Sequence, residues 1–452
     1  MDTHKRTQDQ ICVPGHRFNR IWRLSILEPA GLLIIVVFVV VYLAITSERV
    51  NRTAMSLTGM AIVALILWIL GTSDFKILTE HIEWSTILFV TGQMIIVTVS
   101  RASGMYQYLA LTLARPSGGN PHRLFITFIV FVFFISLFFD TTSTMLIIGP
   151  LTIEVCRALA LDFKPFLVSE AIVANYASIP SVVGDVPNLV IWHATQINAG
   201  SMFIALIPLS VIFLLISLPL MLRYLQRTLK ERDMTKCEEF LALDPKTLIH
   251  SRLEFYMSVG AMIAIVLAFT IGNAVGLEPS LVVMTIAAVM LMMTRREVEQ
   301  ILRQVGWGTI FFIIGLFGIV AALDLTGVLT DMTVWAEATV GSNKVITTLF
   351  MFWIPGVISA VIDNVPIAAL LAPLAATFTH MSSVVVLALI SGVNIGAFIL
   401  PIGSPANIIA LALSETEKDP IGIMGFAKVA TPMAILMMLI GTGYLLLLTL
   451  FI

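Results

Sequence analysis

The stretch Asn175-Tyr-Ala-Ser-Ile-Pro-Ser-Val-Val-Gly-Asp-Val-Pro-Asn188 lies inside an apolar run, 165–195, that would otherwise read as one membrane helix. Ser178, Pro180, Ser181, Gly184, Asp185 and Pro187 interrupt it. Proline removes a backbone donor and glycine frees the chain to turn, so the run predicts two half-helices joined by irregular backbone. A second such stretch lies downstream: Asn394-Ile-Gly-Ala-Phe-Ile-Leu-Pro-Ile-Gly-Ser-Pro-Ala-Asn407. Aligned without a gap, Asn175 falls on Asn394, Gly184 on Gly403 and Asn188 on Asn407.

Working outward, the whole chain is apolar. Of its 452 residues, 58% are hydrophobic and 12% charged, about half the charged share of a soluble protein. The chain therefore reads as an all-α polytopic membrane protein. Its net charge of −2 carries no basic domain, so no nucleic acid partner is expected. Cys12, Cys156 and Cys237 are scattered, which fits neither a disulfide framework nor a zinc site. Spanning-length runs fall at about 28–46, 55–71, 84–100, 124–158, 165–195 and 202–222. Six more follow, at about 254–272, 279–293, 305–322, 345–378, 382–413 and 430–451. The run 31–46 has the look of a signal-peptide core, but its counterpart near 254–269 argues that it is retained.

Self-comparison extends the pairing of the two interrupted stretches. Trp84 matches Trp307, Thr86 matches Thr309, Gly92 matches Gly315 and Gly104 matches Gly327. Asp140 matches Asp363 and Pro150 matches Pro373, all at one offset (307 − 84 = 223). Beyond Pro150 the offset drops (394 − 175 = 219), as a shorter loop in the second copy would require. The expected organisation is a polar tail over 1–27, a first repeat over 28–222, a linker over 223–250 and a second repeat over 251–452.

Asp140 and Asp363 sit mid-run. A bare aspartate in a lipid-facing helix costs about 2.5–3.5 kcal/mol. A re-entrant hairpin avoids this, because its tip lies in protein or beside a watery cavity. The tips are then Asp140-Thr141-Thr142-Ser143 and Asp363-Asn364-Val365-Pro366. With hairpins not crossing, each repeat has five crossings, and the odd number makes the two repeats inverted. One side then collects 19 of the 26 Lys and Arg residues. By the positive-inside rule the linker is cytoplasmic and both termini are outside.

Broken helices at matching positions of two halves point to the binding site of a secondary carrier. Within tips and breaks the candidate solute and ion ligands are Asp140, Thr141, Thr142, Asn175, Asp185, Asn188, Asp363, Asn364, Asn394, Ser404 and Asn407, with Gly184 and Gly403 shaping the breaks. Sodium is possible at Asp140, Asn175, Asp363 and Asn394. The aspartates also suit helix capping, and each asparagine also suits freed backbone groups. Pro187 and Pro405 fit the first turn of a half-helix, and Ser404 fits its cap. The half-helix N-termini would favour an anionic or polar solute. Glu154 and Glu170, near run ends, read as solvated. No Lys or Arg lies in the tips or breaks. This favours a small oxyanion or weak acid over a dianion such as citrate; a sodium/proton antiporter, or a citrate or dicarboxylate carrier, is the alternative. Gly-x-x-x-x-Gly-Lys-Ser/Thr, His-Glu-x-x-His and Gly-x-Ser-x-Gly are all absent, so neither direct ATP use nor an intramembrane enzyme is expected, and no cofactor beyond a proton or sodium.

At Glu83-Trp-Ser-Thr-Ile-Leu-Phe, Phe139-Asp-Thr-Thr-Ser-Thr, Gly184-Asp-Val-Pro-Asn188, Asp363-Asn-Val-Pro366 and Gly403-Ser-Pro-Ala-Asn407 the sequence resembles the ion transporter superfamily. That group holds divalent anion/sodium symporters, arsenite pumps, citrate carriers, sodium/proton antiporters and the P protein. Aspartates at both tips resemble the arsenite-pump and P-protein branch, although Thr141 stands where that branch usually has Asn, and Ile179-Pro180 where it has Gly. The resemblance implies a homodimer in the cell (inner) membrane and elevator motion of a transport part against a scaffold. It also implies a small inorganic ion as substrate, bound at tips and breaks.

Overall fold

In the computed structural model, residues 29–46, 50–118, 120–226, 245–275, 278–294, 296–340 and 343–451 are described. The basic tail, Cys12, Cys237 and most of the linker lie outside them. All regular structure among the described residues is helical. The first half contains α1 (Pro29–Thr46), α2 (Arg52–Ile69), α3 (Phe75–Glu80), α4 (Trp84–Ala102), α5 (Met105–Ala114), α6 (Pro121–Ser136), α7 (Thr141–Ala158), α8 (Lys164–Ala177), α9 (Val186–Thr195) and α10 (Ala199–Gln226). The second contains α11 (Arg252–Val275), α12 (Pro279–Met293), α13 (Val298–Arg303), α14 (Trp307–Leu325), α15 (Val328–Val340), α16 (Lys344–Ser359), α17 (Asn364–Thr377), α18 (Val384–Gly396), α19 (Pro405–Thr416) and α20 (Ile423–Phe451). Helices α2, α4, α10, α14 and α20 are long and apolar enough to cross a membrane.

The run 124–158 divides into α6 and α7, and 345–378 into α16 and α17, each at its aspartate. The runs 165–195 and 382–413 divide at the quoted stretches, giving α8 with α9 and α18 with α19. Asn120 and Asn343 start the two hairpins alike. Each side-chain oxygen accepts from two backbone N–H groups of the first turn, those of His122 and Arg123 and those of Val345 and Ile346.

The helices pack in two groups. In one, α2 lies on α14 and α1, while α4 lies on α12 and α11. The α2–α14 crossing is close because Gly315 presents no side chain: a Cβ there would stand 2.6 Å from the backbone of Ser56. In the other group, α6 packs on α8 and α16 on α18, with α10 and α20 flanking. Here Gly392 and Gly396 let α18 press on the carbonyls of Phe352 and Gly356. The halves interlock in this group. The break helix α9 packs on hairpin arm α17, and α19 packs on α7. Between the groups contact is sparser, carried where α4 and α14 meet α7, α9 and α17, where α11 meets α10, and by α5 and α15, which touch both.

Several ion pairs gather at two rims. At one, Arg157 pairs with Glu417, Lys164 with Asp419 at 2.7 Å and Arg296 with Glu254 at 3.4 Å. At the other, His193 stands 3.6 Å from Glu83. Nearby, the hydroxyls of Ser85 and Ser280 donate to Glu278 and hold its carboxyl below the usual range.

Candidate functional site

Both hairpin tips are built by an aspartate capping the second arm. Asp140 accepts the Ser143 N–H at 2.9 Å and Asp363 accepts the Val365 N–H at 3.0 Å. The capping alternative is thus realised at both positions. Each carboxylate retains a second oxygen, and both residues are buried.

The breaks are capped in the same way. Asp185 accepts the Val186 N–H at 3.0 Å ahead of α9, and Ser404 accepts the Ala406 N–H at 3.3 Å ahead of α19. Pro187 and Pro405 occupy the first turns, where a missing N–H costs nothing. Gly184 and Gly403 are needed for space. A Cβ at Gly184 would lie 2.8 Å from the carbonyls of Ser136 and Ser178. A Cβ at Gly403 would collide with the carbonyls of Ser359 and Ala397. Each break therefore rests directly on the end of the helix that leads to its half's tip, α6 or α16.

Asp185 joins both tips. Its Oδ1 accepts the Thr141 hydroxyl at 3.3 Å, and its Oδ2 accepts the Asn364 amide at 3.1 Å. It lies within Coulombic range of both Asp140 and Asp363. The four asparagines form a second, crossed link. Asn175 donates to Asn407 Oδ1 at 3.1 Å, and Asn394 donates to Asn188 Oδ1 at 2.7 Å. The amide of Asn188 also satisfies the carbonyls of Ser178 and Ser181, both at 2.9 Å. That of Asn407 satisfies Ala397 at 2.9 Å. The asparagines thus do both expected jobs: they hold freed carbonyls and they reach the opposite break. Buried oxygens Asn175 Oδ1 and Asn364 Oδ1 have no hydrogen-bond partner. Thr142, half-buried, lines a small cavity with Arg101 and Gln304 beside the first tip. Among the described residues no cluster of three or more His, Cys, Asp or Glu forms a metal site.

Two sequence expectations are corrected. The absence of basic residues from tips and breaks does not leave Asp363 without a cation. Arg52, the first residue of α2, stands 3.7 Å from its Oδ2. The pair lines a cavity of about 360 Å³, bounded also by Pro366, Ile402 and Pro405. Arg52 thus supplies a cation of the kind whose absence was to disfavour a dianion such as citrate. Glu170 is not solvated: it is fully buried and accepts the Thr152 hydroxyl at 2.7 Å. Helix α8 is enclosed on every side from Pro165 to Ala177, so it has no solvent face to offer. Glu154, by contrast, is exposed as expected.

Residues 42–389 match the family described as Citrate transporter. An uncharacterized transporter of Mycobacterium bovis is 30% identical over 401 residues, spanning 87% of this chain and 93% of its own. The 46 kDa membrane protein of Mycobacterium leprae is 28% identical over 417 residues, spanning 91% and 97%. The P protein of Homo sapiens is 23% identical over 497 residues, spanning 90% of this chain and 58% of its own. The resemblance drawn from the motifs is borne out.

Proposed function

The chain belongs to the citrate transporter family, and from that premise we propose that it is an ion-coupled secondary carrier of a small anion or weak acid. It is an integral, multi-pass membrane protein and a transporter rather than an enzyme. Its bacterial relatives point to the inner membrane. The reading includes two inverted repeats, 28–222 and 251–452, around one shared site, and an elevator movement in a homodimer.

One observation carries it. The carboxylate of Asp185 is held from both hairpin tips, by Thr141 of one and Asn364 of the other. Acidic tips and helix breaks from both halves thus meet in one buried polar centre, which a shifting body would carry as a unit. The N-termini of α9 and α19 are the positive ends of their dipoles, a favourable setting for negative charge. The sparse contact between the packing groups supports movement of one past the other. Residues 157–164 and 418–428, which the charge count puts on one side, also meet in space, as Lys164 with Asp419 does. Arsenite-like oxyanions remain the leading cargo class, joined now by anions able to use Arg52.

Sodium coupling, or sodium/proton antiport, is the second reading. It is favoured by the unpartnered oxygens of Asn175 and Asn364, which suit a hard cation.

Purified protein in proteoliposomes tests the carrier reading. Arsenite, silicate, chloride, citrate, dicarboxylates and sodium are offered under imposed proton or sodium gradients. At least one is expected to accumulate above its equilibrium level, and an ionophore should abolish the accumulation. Conductive leak alone, with no uphill movement, would indicate a channel.

A further inference from the structure

The cavity at Arg52 contains a second polar group that the transport reading leaves unused. Tyr42 of α1 lines it, is 5% exposed, and its hydroxyl has no hydrogen-bond partner. A buried hydroxyl left unpaired is unfavourable, so a ligand acceptor in reach would be bound there. Arg52 is equally under-used. Its side chain is 34% exposed, and it lies over the Phe312 ring at 5.5 Å from the centroid. Its contact with Asp363, at 3.7 Å, is longer than a charge-assisted hydrogen bond. A guanidinium offers five donors in a fork that fits a carboxylate in the plane. Opposite these donors the wall is apolar: Ile45, Ile402, Pro405 and Ile408.

We propose that this cavity binds a monovalent carboxylate with a small apolar body, its head between the Arg52 guanidinium and the Tyr42 hydroxyl. The bound anion takes Arg52 from Asp363, and Asp363 then takes up one proton. One negative charge and one proton enter together, so the loaded site gains no net charge. The groups facing Asp363 are Arg52 from α2, Tyr42 from α1 and Asp185 from the cap of α9. Only Arg52 among them is a cation, so a buried, charged Asp363 deprived of it would be strongly disfavoured. The same count limits the ligand. A citrate ion would bring further carboxylates to an isoleucine and proline wall with no cation to meet them. Movement of the ligand rests on the carrier reading above; its binding does not.

Titration calorimetry on the purified full-length protein is the test. The probes are benzoate, butyrate, citrate, phosphate and benzyl alcohol, each in two buffers of different ionisation enthalpy. Benzoate and butyrate are expected to bind with about one proton taken up, and citrate, phosphate and benzyl alcohol at least tenfold more weakly. Arg52→Gln is expected to lose at least tenfold in benzoate affinity, and Tyr42→Phe about tenfold, as befits a hydrogen bond to a charged group. Arg52→Lys keeps the charge but not the fork and should fall between. If Arg52→Gln alone does not fold, the Arg52→Gln/Asp363→Asn double variant removes both charges and should fold without binding. Asp363→Asn should bind benzoate with no proton uptake. The proposal is overturned by unchanged benzoate affinity in the Arg52 variants, by tighter binding of citrate, or by wild-type binding without proton uptake. Benzoate binding as described with no gradient-driven flux would support the cavity and remove the carrier reading. Flux of another solute with no benzoate binding would do the reverse.

Discussion

Replacing Asp363 with asparagine is expected to abolish uphill accumulation, a loss of at least tenfold, while leaving the protein folded. Asparagine caps a helix about as well as aspartate, so the hydrogen bond from the Val365 N–H survives the change. What is lost is the charge, together with the pair to Arg52. A carrier whose tip neither ionises nor binds a proton or cation can still exchange solute downhill, but it has lost a coupling element. Asp140→Asn is expected to behave alike, since Asp140 caps α7 through the Ser143 N–H. Uptake in proteoliposomes with and without an imposed gradient, beside a melting curve in detergent, checks both. If both variants accumulate solute with unaltered pH dependence, coupling resides elsewhere.

The second large effect concerns space. Gly403→Ala is expected to destabilise the protein by about 3 kcal/mol or more, at the upper end for overpacking. The new methyl would collide with two carbonyls, one of them 2.6 Å away on Ala397. Neither can retreat easily: the Ala397 carbonyl is held by Asn407 and the Ser359 carbonyl belongs to the end of α16. Gly184→Ala should be milder, since its nearest contacts are at 2.8 Å. Gly422→Ala is the control, with nothing within 4 Å of its Cβ. Melting temperatures in detergent should fall in the order Gly422→Ala, Gly184→Ala, Gly403→Ala, with Gly422→Ala closest to wild type. Equal stability of Gly403→Ala and Gly422→Ala would show that the break does not need this close approach.

Much of this was legible in the chain because polar residues are conspicuous in an apolar background. Asp140 and Asp363 divide their runs where they stand, and the proline-bearing stretches 175–188 and 394–407 interrupt theirs. Caps at Asp185 and Ser404 follow from residue type and the prolines after them. What could not be read is what depends on long-range approach. Arg52 opens α2, far from Asp363 in sequence, so counting charges within tips and breaks missed it. The asparagine pairing was hidden for a related reason. Alignment sets Asn175 on Asn394, whereas in space Asn175 meets Asn407 and Asn188 meets Asn394. Matching positions in an alignment need not touch. Glu170 was misread because a carboxylate near a run end is ordinarily solvated, and nothing local reveals that α8 is enclosed all round.

The account depends on one buried polar centre that opens to one side of the membrane at a time. Ile402, in the second break, lines the Arg52 cavity and reports on it. The decisive measurement places a single cysteine at Ile402, with the three native cysteines replaced, and follows its labelling by a membrane-impermeant maleimide from each side. Position 402 is expected to react from the side on which α2 begins in one gradient condition and from the opposite side in another, with solute shifting the balance. Reaction from one side only, under every gradient and in protein that still transports, would contradict it.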